Sequence, residues 1–242
     1  MFVKRLILFD VDGTLVNCPP DTAPVAAIRS LYGLEVSFEG LRTGDMTEPQ
    51  ILALLLQSVG WNDIKIKAEL PNLMNEVVPF IHGAFKKGTI KLVPGVKDLL
   101  DQLERRGITL GLITGNRKSL ARLKLEDVDI WRYFSVGGYG DDPHEKRSDL
   151  VRLACQRADF QTDDPCVYVI GDTWRDIKAA VEAGVINRVG LVGPRHPKKE
   201  FQEAGANIIL SSFVETQKVL KALGIPSPKR RGNGSQTANL AV

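Results

Sequence analysis

Cysteine is scarce in this 242-residue chain, and its three copies, Cys18, Cys155 and Cys166, form no Cys-x-x-Cys pair. That spacing argues against a zinc ribbon or a disulfide-framed secreted domain, and the odd, sparse count fits a reducing, cytoplasmic compartment. Histidine is equally rare. His82, His144 and His196 show no metal-ligand spacing and read as surface or loop residues. Long hydrophobic runs are missing, so nothing is expected to cross a membrane. The first apolar run begins at residue 6 and reads as a strand, so no signal peptide is expected. Charge of one sign is missing too. Lys229, Arg230 and Arg231, in an acid-free tail of seventeen residues, account for the whole formal charge of +3. A nucleic-acid-binding face therefore has no support. The tail itself, residues 226–242, combines turn formers with small polar residues and is expected to be disordered. Gly137-Gly138-Tyr139-Gly140 is glycine-rich but lacks a dinucleotide fingerprint.

What is present is an ordinary globular composition, 43% hydrophobic, enough for one domain or two small ones. The most informative stretch is Leu6-Ile7-Leu8-Phe9-Asp10-Val11-Asp12-Gly13-Thr14-Leu15. A continuous apolar run reads as a strand buried on both faces. Its carboxyl end, where ligands of open α/β sheets sit, carries two acids. Two neighbouring carboxylates repel unless a cation or a shared proton occupies the site. The stretch therefore points to a metal and to carboxylate chemistry.

Residues 17–91 read as a helical insert. Ile51, Leu54, Leu55 and Val59 fall on one helical face, with Thr47 as cap and Pro49 in the first turn. Met74, Val77, Val78 and Ile81 mark a second face, and no strand is expected between Thr22 and Lys87. From Val93 helices and strands alternate. Strands are expected at 108–113, 134–136, 166–170, 188–192 and 207–210, with helices between them and a last helix from Ser212 to Leu223. This rhythm implies an α/β fold with a parallel, doubly wound sheet. The expected domains are a core of residues 1–16 and 92–225, and the insert of 17–91.

Three polar clusters follow directly on buried strands: Asp10 with Asp12, Thr114-Gly115-Asn116, and Asp172 with Asp176. A parallel sheet aligns its strand ends along one edge, so the clusters should converge. Lys146-Arg147, at a helix start, can bring a basic group. In these motifs, their order and their spacing, the chain resembles the haloacid dehalogenase-like hydrolases from Lys4 to Gly224. It is closest to the phosphatase branch with a helical cap after the first strand, of the phosphoglycolate phosphatase kind.

The resemblance implies a Rossmann-like core and a set of roles. Asp10 is the nucleophile that forms an aspartyl-phosphate. Asp12 is the acid and then the base, its carboxyl raised by crowding with other acids. Mg²⁺, a hard ion, is held by Asp10, the Asp12 backbone carbonyl and Asp172. Thr114, Gly115 and Asn116 bind phosphate, and Arg147 neutralises it with its planar fork. Lys146 and Lys124 stay open as alternatives for that basic role, because the family's common Gly-Lys-Pro is absent. Asp176 supports the metal shell or the basic residue. The segment from Leu41 to Thr47, notably Thr43, Gly44 and Met46, is expected to face substrate.

Asp12 separates the chemistries. A departing halide needs no proton, whereas an alkoxide does, so a phosphate ester is favoured over a carbon–halogen bond. The expected activity is a phosphomonoesterase acting on a small phosphorylated metabolite, as a monomer or homodimer. A sugar phosphomutase shares both acids, and a non-catalytic metabolite-binding protein would normally show damaged acids.

Overall fold

The computed structural model describes residues 4–41, 43 and 46–225. Gly44 and the 226–242 tail lie outside the described residues. Along the chain come β1 (Leu6–Phe9), β2 (Val16–Asn17), α1 (Ala23–Tyr32), α2 (Glu48–Ser58), α3 (Asp63–Glu76), α4 (Val78–Ala84) and β3 (Lys91–Leu92). Then follow α5 (Val96–Glu104), β4 (Thr109–Ile113), α6 (Lys118–Asp127), β5 (Val136–Gly138), α7 (Arg147–Arg157) and β6 (Val167–Gly171). The chain continues through α8 (Trp174–Ala183), β7 (Asn187–Leu191), α9 (Lys198–Glu203), β8 (Ile208–Leu210) and α10 (Thr216–Ala222).

Six strands make one sheet in the order β5-β4-β1-β6-β7-β8, and every pairing is parallel. Leu6 is level with Thr109 on one side and with Val167 on the other. The chain leaves β1 in one direction to β4 and later returns on its other side as β6. This is the strand-order reversal at which open α/β sheets place ligands. Alternate residues of β1 feed separate cores. Ile7 and Phe9 pack into the cluster shared with the insert helices, and Leu6 and Leu8 into the cluster with Val151, Ala154 and Ala180 of α7 and α8. That two-sided burial is why the strand reads as an uninterrupted apolar run. Each of these fully buried side chains stabilises the fold by about 1.5–3 kcal/mol.

The insert consists of α1 to α4, and between Thr22 and Lys87 no strand occurs among the described residues. Two of its helices differ from expectation. On α2 the buried stripe is Leu52, Leu55 and Leu56, one position round from the expected face. The run Leu54-Leu55-Leu56 lets the stripe be drawn either way, and Ile51 is only partly buried, packed at the edge of the core where it also lines a cavity. The second expected face spans two helices. α3 ends at Glu76, α4 opens at Val78 with Pro79 in its first turn, and Val78 is exposed while Leu73, Val77 and Ile81 are buried. Pro79 cannot donate a helical hydrogen bond, which suits a helix start.

In the sheet, β5 lies two residues later than expected, and α10 starts four residues later because Phe213 is buried in the core. The short β2–β3 pair and α9 carry too few apolar residues to be seen as periodic patterns. Among the described residues no helix is long and apolar enough to cross a membrane.

Candidate active site

β1, β4 and β6 end side by side, and each delivers one of the polar clusters. Asp10 directly follows β1 and is buried, with its backbone N–H donating to the Ile170 carbonyl at 3.0 Å. Thr114 follows β4, donates from its N–H to the Gly138 carbonyl and is buried. Asp172 follows β6. Its Oδ1 accepts a hydrogen bond from Thr14 Oγ1 at 3.2 Å. Gly13 makes this approach possible. Its φ of +88° suits glycine, and a Cβ there would run into the Asp172 carboxylate.

Asp176 is placed by a capping box at the start of α8. Its Oδ2 accepts from the Thr173 N–H at 3.1 Å and from Thr173 Oγ1 at 2.7 Å, while Thr173 Oγ1 accepts the Asp176 N–H. Its other oxygen takes Arg147 Nε at 3.1 Å and Nη2 at 2.7 Å. Arg147 Nη2 also reaches Asp10 Oδ1 at 2.8 Å. Arg147 thus ties the acid of β1 to the acid of α8. Lys146 is exposed and lies outside the cavity that these groups line.

One oxygen each from Asp10, Asp172 and Asp176 lies within 4.8 Å of the others. Burial, then the Asp176 charge, pushes Asp10 well above the usual carboxylate value against the pull of Arg147, and Asp172 adds to the rise. Burial and the Asp176 charge likewise lift Asp172 to about 6. These are all hard oxygen donors whose mutual repulsion Arg147 offsets only in part, which suits a hard divalent cation. Asp176 already has both oxygens bonded, so Asp10 and Asp172 are the freer of the three.

Asp12 departs from expectation. Its side chain is 43% exposed and stands outside the three-acid cluster. Lys124 Nζ contacts both of its oxygens at 2.8 Å, and Asn116 Nδ2 donates to Oδ2 at 2.6 Å. Burial alone would raise this carboxyl, but the Lys124 ammonium and the hydrogen bonds outweigh it and hold it below the usual value. The crowding that was expected to raise Asp12 acts on Asp10 and Asp172 instead. Asn116, expected at the phosphate, spends its amide on Asp12 and on Thr114 Oγ1 at 2.9 Å.

These groups line a cavity of about 520 Å³, together with Thr43, Met46 and Glu48 of the insert and Arg195 and His196 from the loop after β7. His196, read from the sequence as a surface or loop residue, is thus at the cavity, with Nδ1 2.8 Å from Glu200 Oε2. The insert touches the core at the turn after β4. The Glu48 N–H donates to the Gly115 carbonyl at 3.1 Å, and a Cβ on Gly115 would come 2.6 Å from the Met46 carbonyl oxygen. Here Glu48 and Arg117 form a buried ion pair that the sequence reading did not find. A lone Glu in a helical first turn has no visible signal for a partner so far along the chain.

Burial pushes Glu48 up to about 7 despite Arg117. An acid raised above its ordinary 4.5 stabilises the fold in its protonated form, and that contribution is lost as pH rises through about 7. Arg117→Ala leaves this buried carboxyl unpaired. The expected deficit is about 3 kcal/mol or more at pH 8 and clearly less at pH 6, read by urea denaturation. Equal deficits at both pH values would remove Glu48 as the titrating group.

Residues 7–189 match the haloacid dehalogenase-like hydrolase family. The chain belongs to that family. It is 29% identical to phosphoglycolate phosphatase from Salmonella typhimurium, over 92% of this chain and 93% of that protein. Among solved structures it is similar to a predicted phosphatase from Clostridium acetobutylicum, with a TM-score of 0.66 at 20% identity, covering 90% of this chain and 99% of the other. It is also similar to a protein assigned as a β-phosphoglucomutase from Thermotoga maritima, at 26% identity and a TM-score of 0.60, covering 90% and 98%. The expected α/β fold and the family resemblance are both met. The relatives place this hydrolase on the phosphatase side of its family.

Proposed function

We propose that the chain is a Mg²⁺-dependent phosphomonoesterase that hydrolyses a small phosphorylated metabolite through an aspartyl-phosphate at Asp10. The observation that carries the reading is the division of two neighbouring acids between opposite partners. Asp10 faces Arg147 and the other acids at 2.8 Å from the guanidinium, whereas Asp12 faces Lys124 and Asn116. One carboxylate is set to attack phosphorus and the other to handle protons.

Asp10 and Asp172, with the Asp12 backbone carbonyl, are the groups that would hold Mg²⁺. The ion would offset repulsion between the anionic nucleophile and the anionic ester. Arg147 orients Asp10, opposes the rise of its carboxyl and presents positive charge to the phosphoryl oxygens. Thr114 and the turn at Gly115 supply hydroxyl and backbone donors at the start of α6. Attack by an Asp10 oxygen forms the O–P bond as the ester O–P bond breaks. Asp12 passes a proton to the departing alkoxide. Held ionised in the free site, Asp12 takes up that proton from solvent water as an anionic ester arrives beside it and raises its pKa. Asp12 then accepts a proton from the water that hydrolyses the acyl phosphate.

The helical insert, residues 17–91, acts as a cap that excludes bulk water from this exchange. Thr43 and Met46 line the cavity and read the leaving group. A cavity of this size suits a small metabolite better than a phosphoprotein. The phosphoglycolate phosphatase relatives make a phosphorylated hydroxy acid a first substrate to test. No nucleic acid or membrane partner enters this reading, and a cytoplasmic setting, as monomer or homodimer, fits it.

The test is phosphate release from a panel of phosphomonoesters with and without Mg²⁺. Release that depends on Mg²⁺ supports the reading, and no release from any ester sinks it. A phosphomutase is the second reading, favoured by the likeness to the β-phosphoglucomutase fold. Transfer of label between sugar-phosphate isomers without net phosphate loss would decide for it.

The ion must displace the proton that the raised Asp172 carboxyl holds. Mg²⁺ affinity is therefore expected to fall as pH drops through about 6, with protons released on binding. Calorimetric titration in two buffers of different ionisation enthalpy reads both. An affinity flat from pH 5 to 8 would remove Asp172 from the ligand set.

A further inference from the structure

Lys124 is the one buried lysine among the described residues. It lies in the last turn of α6, with Nζ 5.6 Å from the centre of the Phe85 ring. An ammonium has three N–H donors, and all three have an acceptor here: Asp12 Oδ1 and Oδ2 at 2.8 Å and Asn116 Oδ1 at 3.1 Å. Asn116 closes the ring by donating to Asp12 Oδ2 at 2.6 Å. With its donors spent, Lys124 is poorly placed to bind the phosphoryl group, which Arg147 serves from the other side. Burying an ammonium is costly, and buried pairs contribute little net stability compared with apolar packing. A leucine at this position, against Phe85, would serve the core better. What the lysine provides is orientation.

We infer that Lys124 is a positioning residue for the leaving-group side of the reaction: together with Asn116 it fixes the Asp12 carboxylate outside the Asp10–Asp172–Asp176 cluster, facing the oxygen that departs. The inference rests on the phosphomonoesterase reading. It assigns two cations of the site to different acids, the partly buried Arg147 to the nucleophile and the buried Lys124 to the proton carrier. Lys124 also lies beside Cys18 and Phe85, which belong to the two segments joining insert and core. The orientation of Asp12 is therefore built at the junction through which the chain enters and leaves the cap.

The experiment compares two esters, an alkyl phosphate and p-nitrophenyl phosphate. An alkoxide needs a proton to depart, whereas nitrophenolate leaves as a stable anion. In Lys124→Met the ratio of alkyl to nitrophenyl kcat/KM, which reports departure of the leaving group and not hydrolysis of the shared acyl phosphate, is expected to fall by about 10²-fold or more, the scale of a lost general acid. Lys124→Met added to Asp12→Asn is expected to lower the ratio no further, because both act through one group. A merely structural lysine would lower both rates together and leave the ratio unchanged, and that result overturns the assignment. If Lys124→Met does not fold, Lys124→Gln gives the same reading, since one amide donor cannot hold both Asp12 oxygens. Failure of the wild-type chain to release phosphate from either ester would instead overturn the phosphomonoesterase reading itself.

Discussion

Asp10→Asn is expected to lower phosphate release by about 10³-fold or more while leaving the fold at least as stable as the wild type. The two halves of this result come from the same geometry. The amide keeps the shape of the carboxyl and can still accept from Arg147 Nη2, now 2.8 Å from Asp10 Oδ1. It cannot form an acyl phosphate as a carboxylate does. On the stability side, Asp10 is a buried acid pushed up by burial and by the Asp176 and Asp172 charges. Removing its charge relieves a repulsion that, without metal, only Arg147 opposes. A thermal melt without Mg²⁺ should show an unchanged or raised Tm, and added Mg²⁺ should stabilise the variant less than the wild type. Full activity in this variant would remove Asp10 as nucleophile. A large drop in Tm would mean that its charge supports the fold, contrary to the environment described above.

The addresses of the candidate site groups were legible because the physics that puts them there is local. A strand buried on both faces must be continuously apolar, so Leu6 to Phe9, Leu110 to Ile113 and Val167 to Ile170 announce their own ends. The next residues on each are Asp10, Thr114 and, one glycine on, Asp172. Parallel pairing then brings the ends together without further information. Contacts that depend on which face of a helix meets which neighbour were much less legible. Lys124 was open only as an alternative phosphate ligand, because nothing in Leu120 to Leu125 says that its ammonium reaches Asp12. Glu48 and Arg117 meet only because the insert folds back over the turn after β4. The buried face of α2 was misplaced by one residue in a run of three leucines, where periodicity is degenerate. The raised carboxyl was assigned to Asp12 from the acid role that the resemblance implies and from crowding with the other acids. Its actual direction follows from one long side chain on α6, and no count of nearby acids contains that.

Arg147→Met is expected to damage both activity and stability, the second in a pH-dependent way. In the wild type one guanidinium serves Asp10 and Asp176, at 2.8 and 2.7 Å, with side chains only 8% and 0% exposed. Burial opposes the charge on Arg147, but the two acids outweigh it and hold the group firmly protonated. Methionine fills much of the space and removes the charge, so two buried carboxyls lose their shared cation. The expected deficit at pH 8 is about 3–5 kcal/mol, the scale of a broken buried pair. The direction with pH follows from the raised values. Asp10 lies well above its ordinary 3.8 and Asp172 at about 6, so both favour the fold when protonated; the Asp172 contribution is lost as pH rises through about 6, and that of Asp10 as pH rises through its own raised value. Without Arg147, Asp10 loses the charge that holds it down and rises further. The deficit relative to wild type should therefore be small near pH 5 and grow towards pH 8. Saturating Mg²⁺ should recover part of it, about 2.7 kcal/mol at a hundredfold excess over Kd, because the ion opposes the same charges. Urea denaturation at pH 5 and 8, with and without Mg²⁺, reads all four states. A deficit independent of pH and of the ion would mean that Arg147 stabilises through the packing of its stem rather than through its charge. In that case its assignment to the nucleophile would fail.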